Sequence, residues 1–327
     1  MARAGKMRPK DASYRHVNNE TSLTAPAIDN LLASVVDALA QYKQPAVTGY
    51  DVGHLVFALT PHESAVDYKQ LYREYLERLL RLHLLSPIGS SNSVTGYLLF
   101  GKTRALPAEI VCSLDPFAYV SHLSAMEYHG LTDRFPKTLY MCTPPAKEWR
   151  AQALERMQRD LSGNFERYRQ TGLPRLTRPN VTLIGHTSVQ FHELSQMVAF
   201  RNVPDSPVKV ATLGRVFLDM LREPGLCGGI QHVLDIYRRE AKRYLRLIVD
   251  EVDRHGRPID KVRAGYVLSE VCHLSNEAIT AWAVLAQRGG SRRLDPDSGY
   301  ASAYSDRWQL SLNVPSLENI DDDTDAE

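Results

Sequence analysis

Between residues 64 and 83 the chain sorts its side chains into two sets, with a period that only an α-helix supplies. At about 100° per residue, Tyr68, Leu71, Tyr72, Tyr75, Leu76, Leu79 and Leu82 fall on one side. Lys69, Gln70, Arg73, Glu74, Glu77, Arg78 and Arg81 fall on the other. Ser64-Ala-Val-Asp67 opens the helix, with the serine as cap and the acid in the first turn. A helix divided in this way must bury one face on its neighbours and present the other to solvent or to a partner.

Its neighbours define what it belongs to. Residues 28–42 carry Leu31, Leu32, Val35, Val36 and Leu39 at helical spacing and stop before Pro45. Residues 49–59 form a second short helix on Val52, Leu55, Val56 and Leu59, broken by Thr60-Pro61. After the two-faced helix, residues 84–88 and 94–100 flank Gly89-Ser-Ser-Asn-Ser93, a hairpin pattern. Pro87 consigns its strand to an edge. Helix, helix, two-faced helix and hairpin is the order of a winged helix-turn-helix. There the third helix enters the major groove and the hairpin lies beside it. Lys69, Gln70 and Arg73 are then candidates for base edges. Arg78 and Arg81 are candidates for phosphates, and Ser90, Ser91 and Asn92 form the wing tip.

The full 327 residues exceed one typical core and predict further domains. We divide the chain into a basic arm (1–25), the winged helix-turn-helix (26–104), a larger mixed domain (105–288) and a polar, acidic tail (289–327). In the third part residues 121–129 read as a short helix closed by Gly130, and 137–142 as a strand. Residues 147–171 read as a helix on Trp149, Leu154, Met157, Leu161, Phe165 and Tyr168, with Gly163-Asn164 as a potential break. Residues 181–189 and 208–210 are β-rich. Residues 212–221, 229–254, 259–272 and 276–287 are helical by period. The fold class expected is α+β, with a helical C-terminal part.

The summed charge is +1, which taken alone speaks against a nucleic-acid partner. The balance is local, however. Residues 2–15 hold five basic side chains and one acid, 134–178 ten and four, and 238–263 nine and five. Residues 318–327 hold six acids and no base. Basic stretches are therefore masked in the total by an acidic end, which could compete with DNA for them.

No apolar run approaches the roughly 20 residues of a membrane span, and the basic start lacks the apolar stretch of a secretory signal. Cys112, Cys142, Cys227 and Cys272 lie far apart, without zinc-finger or disulfide-scaffold spacing. A cytoplasmic protein is expected. No catalytic signature stands out either. Gly225-Leu-Cys-Gly228-Gly229 lacks the lysine of a phosphate loop, and His192-Glu193 has no second histidine at metalloprotease spacing. His122 and His129, seven apart, are followed directly by Gly130. Ser121 reads as a helix cap rather than a nucleophile. No catalytic residue, metal or cofactor is assigned. Asp219 interrupts an apolar helix with Arg215 one turn before it, which predicts a structural ion pair.

Two segments of the third part carry a family likeness. One is Tyr119-Val-Ser-His-Leu-Ser-Ala-Met-Glu-Tyr-His-Gly-Leu-Thr-Asp133, followed by Pro136 and Leu139-Tyr-Met-Cys-Thr-Pro144. The other is Val208-Lys-Val-Ala-Thr-Leu-Gly-Arg-Val-Phe-Leu-Asp-Met-Leu221, continuing through Pro224, Gly228 and Gly229. Together with the winged helix, over about residues 28–275, they resemble the AbiEi-like antitoxins of type IV toxin–antitoxin and abortive-infection systems. The family commonly opens the second helix with an acidic residue, Arg and Thr. Here Leu213-Gly214-Arg215-Val216 keeps only the arginine. The resemblance implies an autorepressor that binds inverted repeats in its own promoter. It also implies neutralisation of a nucleotidyltransferase-like toxin, without requiring a stable complex. Two other readings remain open on the residues: a nucleic-acid-acting enzyme targeted by the winged helix, and a protein-interaction adaptor.

Overall fold

The computed structural model describes residues 25–61, 66–90, 93–195, 199–287 and 292–315. Ser64, Ser91, Asn92, nearly all of the basic arm and the last twelve residues of the acidic tail lie outside them.

The protein begins with α1 (Ala25–Ala40), a short strand β1 (Ala46–Val47), α2 (Gly49–Leu59) and α3 (Tyr68–Arg81), then β2 (Leu85–Ser90) and β3 (Ser93–Leu99). Thr48 and Asp51 form a capping box that starts α2: each side chain bonds the other's backbone N–H. Asp67 is the residue before α3. Its carboxylate accepts from the Lys69 and Gln70 amides, so it is the cap and not a first-turn acid.

The apolar side of α3 is buried at Leu71, Tyr75 and Leu79 against Leu31, Val35 and Leu39 of α1 and Val52 and Val56 of α2, and at Tyr68 against Tyr50 and Phe57. Leu82, expected on that face, is 60% exposed, because the helix ends at Arg81 and His83 turns away with φ +55°. The hairpin is joined by β1, in the order β1-β3-β2, so the strand carrying Pro87 is at the edge. At Gly89 the register shifts and φ is +122°. A Cβ there would lie 2.3 Å from the Ser93 carbonyl, so only glycine fits this bulge.

Then follow α4 (Pro107–Leu114), β4 (Tyr119–Val120), α5 (His122–Tyr128), β5 (Thr138–Thr143), α6 (Ala146–Leu161), a 3-10 turn, α7 (Phe165–Gln170), β6 (Leu183–Ile184) and β7 (Thr187–Glu193). The 3-10 turn at Ser162–Asn164 is the break that Gly163-Asn164 predicts. After β8 (Phe200–Asn202) and β9 (Lys209–Ala211) come α8 (Leu213–Arg222), α9 (Ile230–His255), α10 (Pro258–Tyr266) and α11 (Glu277–Trp282). Six strands form one mixed sheet, β6-β7-β5-β4-β9-β8, parallel at β5/β7 and β4/β9 and antiparallel elsewhere. The molecule is therefore a mixed α and β structure, with helices packed on this sheet and in the C-terminal part.

Two features depart from the sequence reading. On α6 the buried row is Trp149, Ala153, Met157 and Leu161, four residues apart, which leaves Leu154 47% exposed. That row packs with Tyr168, Leu173 and Leu176 against Tyr50, Phe57 and Tyr68. Residues 146–176 thus share a core with α2 and α3, and the boundary near residue 104 does not separate two independent packing units.

The second departure is the segment 292–315, counted with the tail from its Gly, Ser, Asp and Arg content. It carries β10 (Tyr304–Ser305) and β11 (Leu310–Ser311) and buries Trp308, Leu310, Leu312 and Val314 in the main core. Trp308 lies on Gly265 of α10, where a Cβ would be 2.1 Å from the indole. A few large apolar anchors decide the packing of this polar stretch.

Candidate functional site

The exposed arc of α3 begins one residue after its cap. Lys69, Gln70, Arg73, Glu77 and Arg81 are exposed, and Glu74 and Arg78 are half-buried at its margin. The arc is not uniformly free. Gln70 donates to Glu74 (Nε2–Oε1 3.0 Å) and Arg81 pairs with Glu77 at 3.0 Å. Arg78 reaches across to Asp29 of α1 at 2.7 Å. Lys69 and Arg73 have no ion pair among the described residues, though the Lys69 stem lies over Gly172 in the loop after α7. Lys69 and Arg73 are thus the cations most available to a ligand. The hairpin follows α3 directly, with Ser90 at its described end paired to Ser93. It does not stand alone, since Thr95 Oγ1 donates to the Asn180 carbonyl at 3.2 Å.

A second group of polar side chains, buried in the main core, sits where β4 runs into α5. His122 is 1% exposed and holds φ +48°, a left-handed backbone uncommon for a residue with a side chain. Its Nδ1 lies 2.9 Å from Ser121 Oγ and its Nε2 lies 2.8 Å from Glu223 Oε2, just past α8. Ser121 precedes α5 but makes no side-chain cap bond. Its hydroxyl is turned to the imidazole instead, contrary to the capping role read from sequence. The His192 ring lies 4.9 Å away, centre to centre. Burial opposes charging of His122, but its hydrogen bonds to Cys142 and Glu223 and the Asp219 charge prevail and raise its pKa to about 10. His192 is held below the usual histidine range, by burial first and then by the His122 charge.

Arg215 and Asp219 lie beside this group. Nε and Oδ1 are 2.8 Å apart, with both side chains nearly inaccessible at 4% and 1%. Nε does not meet hydrogen-bond geometry and Asp219 Oδ2 has no donor, so the contact is an ion pair without an aligned hydrogen bond. Burial disfavours the charged guanidinium. The Asp219 carboxylate more than offsets this and raises the Arg215 pKa. His129 takes no part in the cluster: its Nε2 lies 2.7 Å from the Ala211 carbonyl, and burial lowers its pKa.

Sequence reading singled out Arg215 and Asp219, weighed His192 only as half of a metalloprotease pair, and missed Glu223. A stripe of Arg215, Asp219 and Glu223 at four-residue spacing on an apolar helix was the available signal for Glu223. Nothing local ties it to His122, 101 residues earlier. Among the described residues no cluster of three or more His, Cys, Asp or Glu could hold a metal ion, and no helix is long and apolar enough to cross a membrane.

No family model matches the chain, and no curated protein matches it. Among solved structures it is similar to the RV2827C protein from Mycobacterium tuberculosis. The identity is 15%, over 86% of this chain and 90% of that protein, with a TM-score of 0.45. A likeness that distant carries no argument about function.

Proposed function

We propose that this protein is a DNA-binding transcriptional regulator, an autorepressor that also acts as the antitoxin to a nucleotidyltransferase-like toxin. In this reading residues 26–104 are a winged helix-turn-helix and α3 is its recognition helix. The observation that supports it best is the exposed arc of α3. Its first two turns offer Lys69, Gln70 and Arg73 to a groove while the opposite face is buried. Lys69 and Arg73 read base edges, and Gln70 joins them once it leaves Glu74. Arg78 and Arg81 hold phosphates, and Ser90, Ser91 and Asn92 reach the backbone from the wing.

The antitoxin role rests on the resemblance of residues 119–144 and 208–229 to the AbiEi-like family. Neutralisation needs no lasting complex with the toxin. The protein acts in the cytoplasm and has no catalytic role of its own.

The test is a gel shift on the DNA upstream of the gene, at low and moderate salt. A saturable shift that weakens at least about tenfold in the Lys69→Ala/Arg73→Ala double variant is expected. Absence of binding at low salt, or equal binding by the double variant, overturns the DNA reading. Co-expression with the product of the neighbouring gene tests the antitoxin role separately: rescue of growth from a toxic neighbour supports it, and no rescue overturns it.

A further inference from the structure

Next to the Arg215–Asp219 pair the fold leaves a cavity of about 560 Å³, between α8, the segment after β7 and the turn from α9 to α10. Its wall includes Arg215, Arg222, Arg257, His255, Glu223 and Ser195. Three arginines around one concavity is an unusual concentration of fixed positive charge, and how each is held decides what the cavity accepts.

Asp260, fully buried, serves two of them. Arg222 Nε donates to Oδ2 at 2.8 Å, and Arg257 reaches the same carboxylate through Nε and Nη2 at 3.1 and 3.2 Å. Arg222 is fixed further by Nη2 on the His255 carbonyl at 2.6 Å. Arg215 is held through Nε at Asp219. Its terminal nitrogens donate to no acceptor among the described residues, although the side chain is only 4% exposed and lines the cavity. Glu223, the carboxylate of the wall, is turned onto His122 Nε2 at 2.8 Å. Asp260 is shared by two arginines, and Glu251 of α9, whose buried Oε1 has no hydrogen-bond partner among the described residues, lies within electrostatic reach of Arg215, Arg222 and His255. The terminal nitrogens of Arg215, on a side chain that lines the cavity, remain without a hydrogen-bond acceptor among the described residues.

We propose that this cavity is a binding site for a small phosphate-bearing anion, gripped by the terminal nitrogens of Arg215, with Arg222 and Arg257 at its sides. A planar guanidinium with two parallel free donors matches a phosphate oxygen pair, and such bidentate contacts are stronger than neutral hydrogen bonds. An arginine recessed to this depth is beyond the reach of a duplex backbone phosphate. The site therefore selects a free phosphate or the phosphate of a small molecule. It is independent of the DNA reading, since no residue of α3 or the hairpin lines it.

The experiment is isothermal titration of the full-length protein with inorganic phosphate, against sodium chloride at matched ionic strength, and in parallel with adenosine 5′-monophosphate and adenosine. Saturable binding of phosphate is expected, weakened about tenfold or more in Arg215→Lys, which keeps the charge but loses the fork, and in Arg257→Gln. Arg150→Gln, an exposed arginine of α6 that belongs to neither site, should bind as the unaltered protein does. Tighter binding of the nucleotide than of phosphate assigns a nucleoside phosphate as ligand, and equal affinity assigns free phosphate. Arg257 is 64% exposed, so its variant remains informative if Arg215→Lys does not fold. No saturable heat with either phosphate compound, or undiminished affinity in Arg257→Gln, overturns the proposal.

Discussion

His122 Nε2 and Glu223 Oε2 meet at 2.8 Å, joining the start of α5 to the end of α8 across 101 residues of sequence. The imidazole is buried and the carboxylate is about half open to solvent, so the pair closes the rim of the polar cluster. Its charge state ties the packing of two helices to pH.

Burial acting alone would lower the His122 pKa, but the hydrogen bonds and nearby acids raise it from 6.5 to about 10. A histidine raised on folding contributes stability that is complete below its unfolded value and is lost as pH rises through the folded one. The Glu223 pKa is lowered, mainly by the hydrogen bond from His122, so its contribution is present above its unfolded value of 4.5 and fades on acidification. The unaltered protein should therefore lose thermal stability between about pH 7 and pH 10, and His122→Ala should flatten that limb. Glu223→Gln should move the limb to lower pH, as the imidazole loses its partner. Melting temperatures across this range decide it, and parallel curves for all three proteins would refute the linkage.

The Arg215–Asp219 pair predicts a contrast between single and double variants. Removing Asp219 alone leaves a buried guanidinium without its carboxylate, and Asp219→Ala should cost about 3–5 kcal/mol. A double replacement with apolar residues of similar volume, Arg215→Met with Asp219→Leu, leaves no buried charge and should cost clearly less. Urea midpoints with unchanged slopes provide the comparison. Unaltered stability in Asp219→Ala would remove the structural role of the pair.

What could be read from the sequence follows the range of the interaction. Tyr68, Leu71, Tyr75 and Leu79 announce themselves because burial on a helix repeats within a few residues, and Gly130 closes α5 at φ +67° for equally local reasons. On α6 the local signal was ambiguous: Leu154 and Ala153 are neighbours, and only the partner surface of Tyr50 and Phe57 selects the smaller one. Trp308 and Leu310 were hidden because a polar, loop-rich segment has no period to betray its anchors. The contact of His122 with Glu223 and the sharing of Asp260 by Arg222 and Arg257 arise where distant segments cross, which spacing along one helix does not encode.

The segment 292–315 gives a third prediction, because its docking depends on one small residue. At Gly265 a methyl group would overlap the Trp308 ring at 2.1 Å, and Trp308 Nε1 is also tied to Ser269 Oγ at 3.1 Å. Gly265→Ala should expel the indole and cost at least about 1–3 kcal/mol, the usual range for overpacking. Trp308→Ala should cost about 3–5 kcal/mol. Both variants should make residues 292–315 more sensitive to limited proteolysis than they are in the unaltered protein. Unchanged resistance in both would show that this segment is not held by the Trp308 contact.

The last prediction separates the two kinds of arginine on α3. Arg73 has no ion pair among the described residues, whereas Arg78 is held by Asp29 of α1 at 2.7 Å. An exposed pair of this kind contributes little to stability, about 0–1 kcal/mol, so breaking it should leave the fold intact. It does govern whether the Arg78 charge is available. If α3 lies against DNA, Asp29→Ala frees Arg78 and removes a negative charge from the interface. DNA binding should then become tighter, and the slope of log affinity against log salt steeper by about one phosphate contact. Arg73→Ala should shift both in the opposite direction. Arg78→Ala should have a smaller effect than Arg73→Ala, because Asp29 already neutralises it. Titrations of one duplex over a series of salt concentrations test all three. A slope that Asp29→Ala leaves unchanged would mean that this end of α3 does not approach the DNA backbone.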